Sequence, residues 1–264
     1  MRTEKQPGTV SFEDVAHALR ALGGIVRDPN RTDLIGEFIG SLTGPSALQL
    51  FDAVYADPVG RVILDEGRDL RAALGDRAAL AAMPEGSLGR AYFEWTAQRD
   101  FSAEGIAAAI SNRVDRQLDG PFPTMAARIV DMHDLWHVLN DWDSDIHGEL
   151  HLLGYSYAQL GGYAWLALGL LALPLLASGG RFEGVGYLRN AIDRGRRAKL
   201  LVAVDWEGML PLPLDDVRRH LQVDEPVPYR KLTFAEAERI GADSVVVRFV
   251  QSILPASGAT AKTR

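Results

Sequence analysis

Two imidazoles and two carboxylates fall within 17 residues of a chain that has no cysteine: His133-Asp134-Leu135-Trp136-His137, then eleven residues, then Glu149. On a helix, residues four apart share a face, and Asp134 lies three before His137 on the neighbouring row. At about 100° per residue the three side chains span an arc of roughly 100°, close enough to share one ion. The interval Asn140-Asp141-Trp142-Asp143-Ser144-Asp145 is rich in turn formers, so it can end one helix and start another. A helical hairpin then returns Glu149 to the histidine face. Without thiolates, any metal ligands are nitrogen and oxygen. Spacing alone leaves two readings equally open, a cation site and a pair of packed, hydrogen-bonded histidines.

Other chemistry is less well provided for. Asp141, Asp143 and Asp145 read as a solvated loop, since the glycine and closing glutamate of a calcium-binding EF-hand are missing from their set positions. His147 and His151 flank Glu149 at an offset of two, which points them away from it on a helix. A His-Asp phosphohydrolase needs further upstream histidine and downstream aspartate ligands, and the sole upstream histidine, His17, is 116 residues away. Arg90, Arg196 and Arg197 have the charge to attract a carboxylate, although surface or interhelix salt bridging is the commoner role of arginine.

The elements that must position these residues are helical. Helical periodicity recurs and alternating strand-like blocks are scarce, so the sequence predicts an all-α fold. The expected architecture is a single multi-helix bundle over residues 1–221, with a long apolar central helix and a short C-terminal extension over 222–264. Ser11-Phe12-Glu13-Asp14 reads as a cap, and helical stretches are expected near 31–41, 45–55, 58–82 and 88–98, with breaks at Gly44-Pro45 and Asp57-Pro58. Further helices are expected over 103–117, through Arg128 to His137, over about 147–177, through Arg194 and Arg197, and at 215–221. Thr233-Phe234-Ala235-Glu236 is a capping box for a helix at 233–241, followed by an apolar stretch at 244–254 and disorder after Pro255.

From Leu152 to Gly180 there is no charged residue, a run longer than the roughly 20 residues that span a bilayer. Tyr155, Ser156, Tyr157, Gln159, the Gly161-Gly162 pair and Pro174 interrupt it, which favours a buried helix of a bundle over a membrane span or lipid groove. Small residues at Gly154, Ala158, Gly161, Gly162 and Ala164 permit close helix approach or leave room for an apolar ligand. A net charge of −7 argues against nucleic-acid partners, which demand clustered Lys and Arg. The N-terminus lacks the apolar core of a signal peptide, so a cytoplasmic location is expected.

The metal-type signature, with two further blocks, resembles the coenzyme Q biosynthesis protein 4 family. Met83-Pro84-Glu85-Gly86-Ser87-Leu88-Gly89-Arg90-Ala91-Tyr92 is similar to one family block. Gly195-Arg196-Arg197-Ala198, Trp206-Glu207 and Arg218-Arg219-His220-Leu221 are similar to its C-terminal block. The resemblance covers roughly residues 15–221 in collinear order. It implies a helical protein that binds a divalent ion, usually zinc, at the positions matched by His133, Asp134, His137 and Glu149. It also implies a part in modifying the polyprenylated hydroxybenzoate ring, with loss of the ring carboxylate coupled to hydroxylation at that carbon. The implied partners are the polyprenylated aromatic lipid, other ubiquinone biosynthesis proteins at a membrane surface, and further copies of the chain. The tail from Gln222 onward falls outside the match, and no mitochondrial-type leader is present, as expected of a bacterial relative on the inner face of its cytoplasmic membrane.

The ligand set suits zinc and equally ferrous iron, manganese or cobalt, because geometry and supply decide among them. Four ligands around one tetrahedral zinc close the site and make it structural, whereas chemistry needs an open position. Two functions follow: a metal-dependent decarboxylase, or a non-catalytic isoprenoid-lipid scaffold in which the ion pins the hairpin.

Overall fold

The computed structural model describes residues 10–27, 32–97, 120–178, 182–233 and 236. Among them are thirteen α-helices and one 3-10 turn, with no strand. The all-α bundle expected from periodicity is what forms. Ser11 and Asp14 cap α1 (Phe12–Arg27) reciprocally, Ser11 N–H donating to Asp14 Oδ2 and Asp14 N–H to Ser11 Oγ.

The break expected at Gly44-Pro45 is absent, and α2 (Thr32–Ala56) runs straight through it. Hydroxyls in the surrounding turns bond back to helix carbonyls, Ser41 to Glu37, Thr43 to Ile39 and Ser46 to Thr43, and so give those acceptors partners around the proline. The break at Asp57-Pro58 is real. Asp57 accepts from the N–H groups of Val59 and Gly60, and Pro58 occupies the first position of α3 (Pro58–Asp65). The stretch to residue 82 then divides, because Asp69 and Asp76 each offer a further cap, to α4 (Leu70–Gly75) and α5 (Arg77–Ala82). Next come α6 (Leu88–Ala97), α7 (Pro121–Asp131) and α8 (His133–Asn140), the last two parted only by Met132. The helix expected over 103–117 lies outside the described residues.

The long apolar central helix is not one helix. It is α9 (Ile146–Leu160) and α10 (Tyr163–Ser178), divided at Gly161 and Gly162, whose φ values are 68° and 75°. Both are in the left-handed region that favours glycine. A Cβ on Gly162 would lie 2.6 Å from Thr43 Cγ2, so the turn is also where α2 closes in. The uncharged run from Leu152 to Gly180 concealed the division because glycine carries no charge. Among the described residues no helix is long and apolar enough to cross a membrane.

The small residues of α9 serve close packing. Gly154 and Ala158 meet Leu188, Ala191 and Gly195 of α11 (Gly184–Arg197), and a Cβ on Gly154 would lie 2.7 Å from the Leu188 carbonyl. Gln159, polar inside the uncharged run, is fully used there. Its Nε2 donates to the carbonyls of Gly195 and Lys199, and its Oε1 accepts from Leu201 N–H. The main core gathers around Trp136, Tyr155 and Trp206, and a second around Leu150, Leu168 and Leu188. Beyond α11 the 3-10 turn (Leu201–Ala203), α12 (Trp206–Met209) and α13 (Leu214–Leu221) complete the bundle.

From Val223 to Thr233 the chain is outside any helix and crosses the turn between α8 and α9. Arg194 donates to the carbonyls of Asp224 and Glu225, Lys231 pairs with Asp143, and Ile146 N–H donates to the Leu232 carbonyl. The capping box at Thr233 and Glu236 forms, with Leu232 buried before it. The helix expected beyond it, the apolar stretch at 244–254 and the segment after Pro255 lie outside the described residues.

Candidate metal centre

The hairpin predicted from spacing is present. α8 ends with Asp141 in the left-handed region (φ 55°), where its N–H bonds the Val138 carbonyl while Trp142 N–H bonds that of His137. Asp145 caps α9, its Oδ1 accepting from His147 N–H at 3.0 Å. Glu149 thereby sits in the first turn of α9, facing α8.

His133, His137 and Glu149 each place one ligand atom within 4.8 Å of the others. Glu149 Oε1 lies 3.2 Å from His137 Nε2, and Oε2 lies 3.8 Å from His133 Nε2. Asp134, expected as a fourth ligand, lies outside this trio and holds the opposite nitrogen of His133, its Oδ1 3.0 Å from Nδ1. A carboxylate accepts, so Nδ1 carries a hydrogen and Nε2 is the nitrogen turned towards Glu149. Burial acts to lower the His133 pKa, but the hydrogen bond to Asp134 and the charges of Glu149 and Asp134 outweigh it and leave the value raised.

His137 is fully buried and Trp95 stacks on its ring at 5.3 Å. Neither of its ring nitrogens, nor Glu149 Oε1, makes a hydrogen bond, and all three atoms are sealed from solvent. Each such buried orphan costs about 1–3 kcal/mol. Two of them, His137 Nε2 and Glu149 Oε1, face each other beside His133 Nε2, so the donor set fits a cation of borderline softness.

His147 and His151 do point away, as their offset requires. His147 Nδ1 bonds the Arg230 carbonyl at 2.6 Å, and His151 Nδ1 bonds the His147 carbonyl at 2.7 Å. Burial pushes the His151 pKa down to about 4; the hydrogen bond to the His147 carbonyl opposes this, while the charges of His147, Arg194 and His137 add to it. An unfolded histidine titrates near 6.5 and takes up its proton first. Folding stability from this group is therefore complete above about pH 6.5 and is lost as pH falls towards about 4. We expect a loss of roughly 3 kcal/mol across that window, read by urea denaturation, and a flatter profile in a His151→Phe chain.

The arginines weighed for carboxylate binding form salt bridges instead. Arg90 pairs with Glu94 and donates to the Ala81 carbonyl, Arg196 reaches Asp193, and Arg197 holds Asp224. Two buried arginines had a helical position in the sequence but no assigned role. Arg194 is buried and anchors Asn140, the last residue of α8, to the crossing strap. Its position on the Leu188-Ala191-Gly195 face of α11 was the available signal. Arg128 is buried and makes a two-pronged pair with Glu207, at 2.5 and 2.8 Å. Tyr229 was missed as well: its hydroxyl donates to Asp145 Oδ2 and accepts from Asp143 N–H, fastening the strap to the cap of α9.

Comparison with known proteins fits this architecture. Residues 5–227 match the family model described as coenzyme Q (ubiquinone) biosynthesis protein Coq4. The chain is 27% identical over 234 residues to the mitochondrial ubiquinone biosynthesis protein coq4 of Aspergillus clavatus, covering 86% of this chain and 80% of that one. It is 27% identical over 226 residues to the mitochondrial COQ4 homolog of Danio rerio, covering 83% and 81%. A crystal structure from Nostoc punctiforme shares the fold, with a TM-score of 0.59 at 18% identity over 80% of this chain and 99% of that one. With the family model matched over most of its length, the chain belongs to the coenzyme Q (ubiquinone) biosynthesis protein Coq4 family and takes part in ubiquinone biosynthesis.

Proposed function

We propose that the chain binds one divalent cation, zinc foremost, through His133, His137 and Glu149, with Asp134 acting on it through His133. With that ion it removes the ring carboxylate of a polyprenylated hydroxybenzoate. The observation that carries the reading is the convergence of His133, His137 and Glu149, whose ligand atoms lie within 4.8 Å of one another, with His137 Nε2 and Glu149 Oε1 sealed from solvent and outside any hydrogen bond.

Bound there, the ion supplies Lewis acidity, stabilising negative charge on the substrate carboxylate or ring oxygen. The chain's own groups do the positioning. Asp134 holds the proton at Nδ1 of His133 and so keeps Nε2 aimed at Glu149. Trp95 covers the His137 ring and excludes water from that side. A three-ligand face leaves room for substrate, which a closed four-ligand zinc does not. The carboxylate carbon leaves as carbon dioxide, and the ring carbon takes a proton. In the oxidative form it takes a hydroxyl instead, with dioxygen as oxidant and a two-electron donor completing the balance. The polyprenyl tail needs an apolar surface, and α10 offers one through exposed Tyr163, Leu170 and Leu171.

The test is direct. Full-length protein reconstituted with zinc, or anaerobically with ferrous iron and then exposed to air, is incubated with a prenylated hydroxybenzoate and carboxylate loss is followed. Turnover is expected, and it should vanish in a folded Glu149→Ala chain. No turnover with any metal, together with tight binding of isoprenoid lipid, would establish the scaffold function instead.

A further inference from the structure

Two residues along α9 from Glu149, and about 200° around it, His151 borders a separate cavity. Its volume is about 450 Å³, within the about 300–1,000 Å³ typical of small-molecule sites. Trp142, His151, Gly186, Tyr187, Arg194 and Tyr229 form much of its wall. The metal trio lines no part of it.

His151 is only 3% exposed, and its ring is held by aromatic neighbours, with Trp142 stacked at 5.0 Å and Tyr187 at 4.7 Å. Its Nδ1 faces the His147 carbonyl, which can only accept, so Nδ1 carries the hydrogen and Nε2 of the neutral ring presents a lone pair. Nε2 has no hydrogen-bond partner, yet it is not sealed in the way that Nε2 of His147 and both nitrogens of His137 are. His151 is part of the cavity wall. The one cation on the wall, Arg194, is taken up by Asn140 and by the carbonyls of Asp224 and Glu225, which disfavours an anionic ligand. Glu183 on the same wall disfavours an anion further. The aromatic walls select a flat ring, and acceptors such as His151 Nε2 select a donor on it.

We propose that this cavity binds an uncharged aromatic ring bearing a hydroxyl, a phenol-type ligand whose O–H donates to Nε2 of His151 while its ring packs against Tyr187 and Tyr229. The site needs neither the ion nor His133, His137 and Glu149, so it stands or falls apart from the metal reading.

The experiment titrates full-length protein, without added metal, with 2-methoxyphenol and in parallel with methoxybenzene, which has the ring and lacks the donor. Calorimetry and tryptophan fluorescence read binding. The phenol should bind in the millimolar range or tighter, and about tenfold better than methoxybenzene, the worth of one hydrogen bond. His151→Phe keeps an aromatic ring and should erase that difference. A Cβ on Gly186 meets nothing within 4 Å, so Gly186→Phe grows into open space, should leave the melting temperature nearly unchanged and should abolish binding of both compounds. Saturating zinc should leave the affinities as they were. Equal affinities for the two compounds, phenol binding that survives Gly186→Phe, or no binding at millimolar concentration would each overturn the proposal. Binding that is lost in Glu149→Gln and kept in Gly186→Phe would place the phenol at the metal centre and overturn it too.

Discussion

Glu149→Gln should remove the thermal stabilisation that a divalent ion gives the parent chain. A ligand that binds only the folded state stabilises it by about 2.7 kcal/mol when present at 100 times its Kd. For a chain of this size that is a shift of several degrees in Tm, readable by melting with and without added zinc. Glutamine keeps the shape of Glu149 but has no charge, and it leaves two neutral histidines to hold the ion. Asp134→Asn is the informative companion. If Asp134 works through His133 Nδ1, asparagine still accepts that hydrogen bond, and affinity should fall by about 10- to 100-fold, the usual result of altering a partner behind a ligand. Glu149→Gln should exceed that range. Equal losses in the two variants would make Asp134 a direct ligand, and undiminished metal content in Glu149→Gln would remove Glu149 from the site.

The second large effect concerns stability. Arg128 is 1% exposed and Glu207, its partner, is partly exposed, with side-chain values of 1% and 23%. Removing either breaks the pair, and the two losses are not equivalent. Arg128→Met leaves a carboxylate that water can reach. Glu207→Leu leaves a guanidinium in the core, bonded to the Arg68 carbonyl and without its counter-ion. Breaking a buried pair from one side costs about 3–5 kcal/mol, a large part of the 5–15 kcal/mol that holds a typical domain together. We therefore expect Glu207→Leu to be the more damaging variant, at the upper end of that range. The double variant should recover much of the loss, since an apolar pair of similar volume is often neutral. Chemical denaturation of the three chains checks the order, and equal losses in both single variants would show that the buried charge is not the dominant cost.

The residues that could be read from sequence alone were those whose partners are close by. Asp57 with Pro58 and Ser11 with Asp14 announce helix starts because a cap acts over three residues. The metal window was legible for the same reason: i, i+4 puts His133 and His137 on one face, and the turn formers of 140–145 allow a single short hairpin. Local rules also misled. Pro45 was expected to end a helix, but a proline can be carried when hydroxyls nearby and packing from neighbouring elements support the turn. Whether Asp134 turns to the trio or to His133 Nδ1 was beyond spacing, because the same arc allows both and side-chain rotation decides. Arg128 and Glu207 lie 79 residues apart, and nothing along the chain couples them. The strap was invisible because a non-helical segment fastened by backbone groups and scattered side chains has no periodicity to detect.

That strap also sets an order of assembly. The three side chains proposed to hold the cation are all made by the time residue 149 leaves the ribosome, but Tyr229 and the carbonyls that fasten the turn between their helices come roughly 80 residues later. At about 5–20 residues per second, a nascent chain spends several seconds with its binding residues made and the clasp missing. On the proposed function, ion capture then belongs to the last stage of synthesis, after the clasp has fixed the helix that carries Glu149. A chain ended at Leu221 should accordingly hold zinc more weakly than the full chain at the same concentration, a comparison that equilibrium dialysis makes directly.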